Sequence, residues 1–291
     1  MAETSVSVLS QTSCHLGEGP TFDPVSGTLF WFDILDKRLH QMRWPDGDTV
    51  TYELPEMASA LAVVDEQRQV LVTETGLHIR HAATGALSLH APIEAENAAT
   101  RSNDARVHPC GAFWISTMGK QAENRAGAIY WFFKGALRRL YRNMTIPNSI
   151  CFSPDGGTAY FADTAEGVIN RVDCDAETGL PRGAPHPFVE GRGEGGFDGS
   201  VVDAQGVLWN ACWGAGTLDA YGPSGEKLNS IAMPARQVTC PAFVGPEATG
   251  IAVTSAREGL DEAALQADPE AGKTFLVDLP VRGRFEPRLL L

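Results

Sequence analysis

The chain has no CxxC pair, no excess of positive charge and no apolar run near the roughly 18 residues that a membrane helix needs. Each absence excludes something. Six cysteines stand singly, at Cys14, Cys110, Cys151, Cys174, Cys212 and Cys240. That spacing argues against zinc knuckles and thioredoxin-like sites and reads as reduced thiols of a cytoplasmic protein. The opening residues, MAETSVSVLSQTS, lack a basic stretch followed by an apolar one, so no secretory signal is expected. A formal net charge of -13 repels phosphate backbones and anionic lipid, so neither nucleic acid nor a membrane is an expected partner. No G-x-S-x-G elbow occurs, which removes the α/β-hydrolase route. Seven histidines show no metal-type spacing. His78 and His81 read as surface residues, and His15, near Glu18, reads as structural. The segment from Gly191 to Gly196 has the form G-x-G-x-x-G, but a strand is expected after it rather than a helix. It therefore reads as a flexible connection and not as a dinucleotide site. Helical periodicity is scarce, and only residues 261–267 read as a short helix.

What the chain does have is a repeat. Hydrophobic residues make up 43% of its 291 residues, enough for a sizeable core. A key residue, four mostly small or apolar residues, a polar turn and an apolar strand recur six times. The key residues and turn starts are Glu18 with Asp23, Ala60 with Asp65, Asn103 with His108, Asn148 with Ser153, Asp198 with Asp203, and, in the weakest copy, Cys240 with Gly245. Successive key residues lie roughly 42–50 residues apart, the size of a four-stranded propeller blade. Turn chemistry such as Ser153-Pro-Asp-Gly156 precedes β-branched and aromatic runs. The expected fold is all-β: a six-bladed β-propeller with a central channel, one domain over residues 1–291. Its ring closes by pairing SVSVLSQTS (5–13) with GKTFLVDLPV (272–281). The regular period disfavours the competing arrangements, a two-sheet sandwich or two smaller β domains.

Equivalent positions in a propeller are related by rotation about one axis. Glu18, Asn103, Asn148 and Asp198 are therefore expected to converge at the channel mouth, while Ala60 and Cys240 add little polarity. Asp and Asn also cap backbone groups at strand ends, but acid or amide at four of six equivalent points indicates a shared ligand. Two ionised carboxylates brought together repel and lose hydration. No basic residue occupies a key position, so one divalent cation is the expected partner. Oxygen donors suit Ca²⁺, Mg²⁺ or Mn²⁺, and Zn²⁺ also takes carboxylates.

Several separated blocks carry a family resemblance: LGEGP (16–20), RSNDARVHPCGAFWISTMG (101–119), IPNSICFSPDGGTAYFADT (146–164), DGSVVDAQGVLWNACWG (198–214) and GKTFLVDLPVRG (272–283). Together they resemble the SMP-30/gluconolactonase/luciferin-regenerating family. The resemblance implies a six-bladed propeller and a divalent metal held by Glu18, Asn148 and Asp198. It also implies substrate contacts at Arg101 and Asn103. Animal members carry an acid two residues after the Met of the second block quoted. Here Lys120 stands there, which bears on substrate preference.

The expected activity is metal-dependent hydrolysis of a small-molecule sugar lactone to its aldonic acid. A metal polarises the carbonyl and acidifies water, and Asp198 is the expected catalytic residue, a ligand that also accepts the water's proton. Arg101 presents a planar donor fork, Asn103 both donates and accepts, and Lys120 orients the substrate. The alternatives are a metal-dependent hydrolase of other esters or phosphotriesters, and a non-catalytic calcium-binding scaffold. Among Trp31, Trp114, Trp209 and Trp213, most are expected between blades and one against a sugar face.

Overall fold

A computed structural model describes residues 4–191, 193 and 195–291. Arg192 and Glu194 of the glycine-rich segment lie outside the described residues. The chain forms six antiparallel four-stranded sheets, the blades of a β-propeller. Each blade starts on an inner strand that carries a repeat's key residue: Gly17–Asp23, Ala58–Val63, Thr100–Val107, Pro147–Phe152, Gly196–Val202 and Val238–Val244. The sixth blade is completed by the N-terminal strand Ser5–Ser10, which pairs with Thr274–Asp278. The two chain ends thus close the ring. The one α-helix among the described residues, Glu262–Ala267, is capped by Asp261, whose side chain accepts the Ala264 N–H. Among the described residues no helix is long and apolar enough to cross a membrane.

Burial grades outward from the axis. Second strands such as Thr28–Asp33, Phe113–Gly119 and Thr158–Asp163 are buried almost throughout, because each blade is covered by a neighbour on both faces. Outer strands such as Thr49–Glu53, Ala136–Met144 and Lys227–Ala232 are largely exposed, and their charged side chains blunt the open edges. Six apolar clusters fill the six blade interfaces. Between the third and fourth blades, for example, Trp114, Ile129 and Trp131 meet Ile150, Phe152 and Phe161. Five of the six cysteines are buried.

Every inner strand has a register shift at its key residue. The shifts lie between Glu18 and Thr21, Ala58 and Ala60, Ser102 and Ala105, Asn148 and Cys151, Phe197 and Ser200, and Val238 and Pro241. A bulge turns a side chain that would lie in the sheet plane's alternation toward a new direction. Here it turns the key side chains toward the channel. Hydroxyls of the inner strands then tie blade to blade: Ser59 Oγ donates to the Asn103 carbonyl at 2.5 Å, Ser149 Oγ to the Asp198 carbonyl at 2.5 Å, and Thr239 Oγ1 to the Gly17 carbonyl at 2.6 Å.

One element had no counterpart in the repeat. Beyond the closing strand, residues 282–291 cross the opposite end of the channel and touch all six blades. Phe285 packs on Phe22, Glu286 pairs with Arg106, and Arg284 donates to the carbonyls of Phe152 and Val202. The Gly283 N–H donates to Ala248 and the Leu289 N–H to Val63. Leu289 is 1% exposed and joins the cluster between the second and third blades. Leu289→Ala should cost about 2–5 kcal/mol by removing a fully buried side chain. Equilibrium urea unfolding measures this, and a loss below about 1 kcal/mol would mean that the tail is not packed as described.

Candidate active site

The starting ends of the inner strands open into a pocket of about 340 Å³. Its wall brings together every candidate named from the sequence: Glu18, Arg101, Asn103, Lys120, Asn148 and Asp198. Glu18 and Asp198 come from the first and fifth blades, Asn103 and Asn148 from the third and fourth. All four are buried, as is Arg101. The lining also includes apolar side chains, Leu16, Met118, Ile146 and Trp213. Trp31, Trp114 and Trp209 are buried in blade packing, so Trp213 is the tryptophan that faces the pocket.

A directed chain of hydrogen bonds orders the floor. Arg101 Nη1 donates to Asn103 Oδ1 at 2.8 Å, Asn103 Nδ2 to Asn148 Oδ1 at 2.8 Å, and Asn148 Nδ2 to Thr164 Oγ1 at 2.9 Å. Thr164 Oγ1 ends the chain on the Phe197 carbonyl at 2.6 Å. Because each donor is fixed by the next acceptor, the amide oxygens of both asparagines have a defined orientation. Arg101 Nη1 also holds the Ser102 carbonyl at 2.9 Å, while its Nε is buried without a partner among the described residues.

The electrostatics centre on the two carboxylates. Burial, followed by the charge of Asp104, lifts the Glu18 carboxyl to about 8. Burial, followed by the charges of Glu18 and Asp104, pushes the Asp198 carboxyl well above the usual carboxylate range. Opposing forces exist. The next residue's N–H, Gly19 or Gly199, stabilises each anion, and Arg101 favours both. The sequence reading counted no cation at the key positions. Arg101 and Arg106 enter from flanking positions of the same strand, yet desolvation outweighs them. Two buried carboxyls that hold protons to unusually high pH, beside an amide oxygen, suit a hard divalent cation. Among the described residues no three His, Cys, Asp or Glu side chains gather as a cation cage. Glu18, Asp198 and the Asn148 amide line one pocket.

Lys120 reaches the rim from a loop after the strand Phe113–Gly119, and it forms an ion pair with Glu74 of the second blade. Glu74 Oε1 in turn accepts the Met57 N–H at 3.0 Å.

Some residues were missed or misplaced by sequence. Asp104, Arg106, Thr164, Glu74 and Glu258 were not singled out. A signal for the first two existed: Thr100–Val107 carries three charged residues in an inner strand that the repeat requires to be buried. His78 was read as a surface residue. Instead it turns into a cleft between blades, 3.1 Å from Thr73 Oγ1 and 3.8 Å from Glu56. His15 keeps to a structural place, its N–H donating to Asp33 at 2.7 Å and its ring 3.4 Å from Asp36.

The raised Glu18 carboxyl has a consequence for stability. The folded chain holds a proton up to about pH 8, and the unfolded chain releases it near 4.5. The native state then binds more protons between those values, so stability of the metal-free protein falls as pH rises through that window. Glu18→Gln is neutral throughout. Thermal melts in chelator from about pH 5 to about pH 8 should show a steeper fall for the wild type than for Glu18→Gln, and parallel curves would contradict the assignment.

Comparison with known proteins agrees with this fold. The crystal structure of a calcium-binding protein, regucalcin, from Agrobacterium tumefaciens superimposes with a TM-score of 0.96 at 49% identity, covering 98% of this chain and 97% of that one. The L-arabinolactonase of Azospirillum brasilense is 34% identical over 92% of this chain and 90% of its own length. The 6-deoxy-6-sulfogluconolactonase of Pseudomonas putida is 31% identical over 99% of both. Residues 16–257 match the SMP-30/Gluconolactonase/LRE-like region, and the stretch takes in every residue lining the pocket except Glu258. The chain belongs to the SMP-30/gluconolactonase/LRE-like family.

Proposed function

We propose that this chain is a cytoplasmic hydrolase that opens the cyclic ester of a sugar lactone to the aldonic acid, with a divalent cation held by Glu18, Asn148 and Asp198. One propeller over residues 1–291 is the unit we propose carries the activity. The observation that supports the reading most is the conjunction of two buried, proton-holding carboxylates and an amide oxygen in one pocket whose lining also includes Leu16, Met118, Ile146 and Trp213. Such a mixed lining suits a sugar, whose ring has hydroxyl edges and an apolar face. Relatives named as lactonases for different sugars support the substrate class.

When bound, a divalent cation supplies Lewis-acid polarisation of the ester carbonyl and lowers the pKa of water. The chain's own residues do the rest. Asp198, its proton displaced by the cation's charge, accepts the proton of the attacking water, a general-base contribution of about 10²–10⁴-fold. Arg101 and Asn103 hold ring hydroxyls in place, because Arg101 presents donors only and Asn103 Oδ1 keeps a second lone pair, while both Nδ2 hydrogens are spent on Asn148 and Pro147. Trp213 packs against the ring face. Lys120, held by Glu74, reaches the substituents furthest from the ester.

A second reading has one observation in its favour: the Agrobacterium structure is described as a calcium-binding protein. A calcium-binding scaffold would bind the cation without turnover. Chelator-treated protein, assayed with a pH indicator against a panel of aldono-γ- and δ-lactones with and without Ca²⁺, Zn²⁺, Mn²⁺ or Mg²⁺, separates the two. Acid release restored by metal is expected, and Asp198→Ala should lower it by at least about 10²-fold with its β-sheet circular dichroism intact. Cation binding with no turnover on any lactone would leave the scaffold. Lys120→Glu breaks the pair with Glu74 and should reorder the lactones by kcat/KM. A uniform loss on all of them would assign Lys120 a general role instead of a selective one.

A further inference from the structure

Bulges in the inner strands leave backbone groups without ladder partners, and in two blades those groups are met by side chains of a third. The shift in Pro147–Phe152 lies between Asn148 and Cys151, with Ser149 held at φ 57°. Asp104 Oδ2 accepts the Ile150 N–H there at 2.7 Å, and Arg106 Nε approaches the Ile150 carbonyl at 3.4 Å. Arg106 Nη2 goes on to the carbonyl of Ser200 at 3.2 Å, at the edge of the shift in the fifth inner strand. Arg106 Nη1 is anchored on Glu286 Oε1 at 2.7 Å, and Glu286 Oε2 also accepts the Val107 N–H at 3.3 Å. Asp104 and Arg106 are buried, and neither lines the pocket beside Asn148 and Asp198.

We propose that Asp104 and Arg106 are positioning residues: they hold the bulged backbone of the fourth and fifth inner strands in the shape that aims Asn148 and Asp198 into the pocket, and Glu286 of the C-terminal tail locks Arg106 in that pose. The proposal rests on reading Asn148 and Asp198 as site residues, and it does not depend on the reaction. The rival role is charge alone, in which Asp104 is a third anion drawing in a cation. The two roles separate by substitution. Asp104→Asn removes the charge and keeps an acceptor oxygen for the Ile150 N–H, whereas Asp104→Leu removes both.

The direct readout is amide hydrogen exchange in chelator-treated protein, followed over residues 147–152 and 196–202. Loss of a buried bond to a charged acceptor should speed exchange at Ile150 by at least ~10-fold in Asp104→Leu, while Asp104→Asn stays within ~3-fold of wild type. Mn²⁺ affinity by calorimetry should follow the same order. Unchanged exchange at Ile150 in Asp104→Leu overturns the proposal, and so does an affinity loss in Asp104→Asn as large as in Asp104→Leu. If Asp104→Leu does not fold, Glu286→Ala carries the test. It frees Arg106 and should speed exchange in both segments by ~3-fold or more, and no change there overturns the role of the tail. A wild-type protein that binds no Mn²⁺ would sink the metal reading, and the exchange measurement would still decide this one.

Discussion

Keeping Glu18 and Asp198 out of water is the constraint on which the rest of the molecule depends. Burial is the first cause of the raised pKa of both carboxyls, ahead of any neighbouring charge. Nothing in an unfolded chain would bring them together. Their blades must be held at a fixed angle and distance, and the inner strands must bulge so that the acids face the axis. Tight backbone contacts follow. A Cβ on Gly19 would lie 2.0 Å from the Ser59 carbonyl, and Gly19 has φ +55°, so glycine alone fits beside Glu18. At Gly199 a Cβ would meet Cys240 Sγ at 2.4 Å, which fits the small, apolar key residue of the sixth copy.

Rigidity comes from two layers. Six apolar clusters wedge neighbouring blades together, so a blade cannot rotate without opening an interface. At the axis, hydroxyl-to-carbonyl bonds and the tail of residues 282–291 replace apolar packing with directional contacts. The tail crosses the channel at the end opposite the pocket. Through Glu286 and Arg106 it is joined by hydrogen bonds to the same bulges that present the site. A scaffold of this kind places side chains on strands instead of loops, which favours precise geometry.

The pocket itself mixes polar and apolar lining. A chain of donors and acceptors runs from Arg101 to Thr164, Leu16, Met118, Ile146 and Trp213 add apolar surface, and Lys120 is paired with Glu74. Lys120 and Glu74 both stand on turns that follow strands, unlike Glu18, Asn103, Asn148 and Asp198, which stand on strands.

The sequence by itself determined the blade count, the strand order within blades and the positions that face the axis. Those follow from local rules: turn residues, strand-forming runs and a period near that of one blade. The key positions Glu18, Asn103, Asn148 and Asp198 were legible because rotation copies one local geometry six times. The identity of Arg101 and Lys120 as pocket residues rested on the family blocks, since no periodicity marks them. Only the tertiary structure decided what lies between blades. Glu74 meets Lys120 from 46 residues away in the chain, Arg106 meets Glu286 across 180, and neither pair has a spacing that a local pattern could reveal. The same is true of the balance of charge at Glu18. Whether two arginines outweigh desolvation depends on burial and distance, and these exist only once the ring has closed.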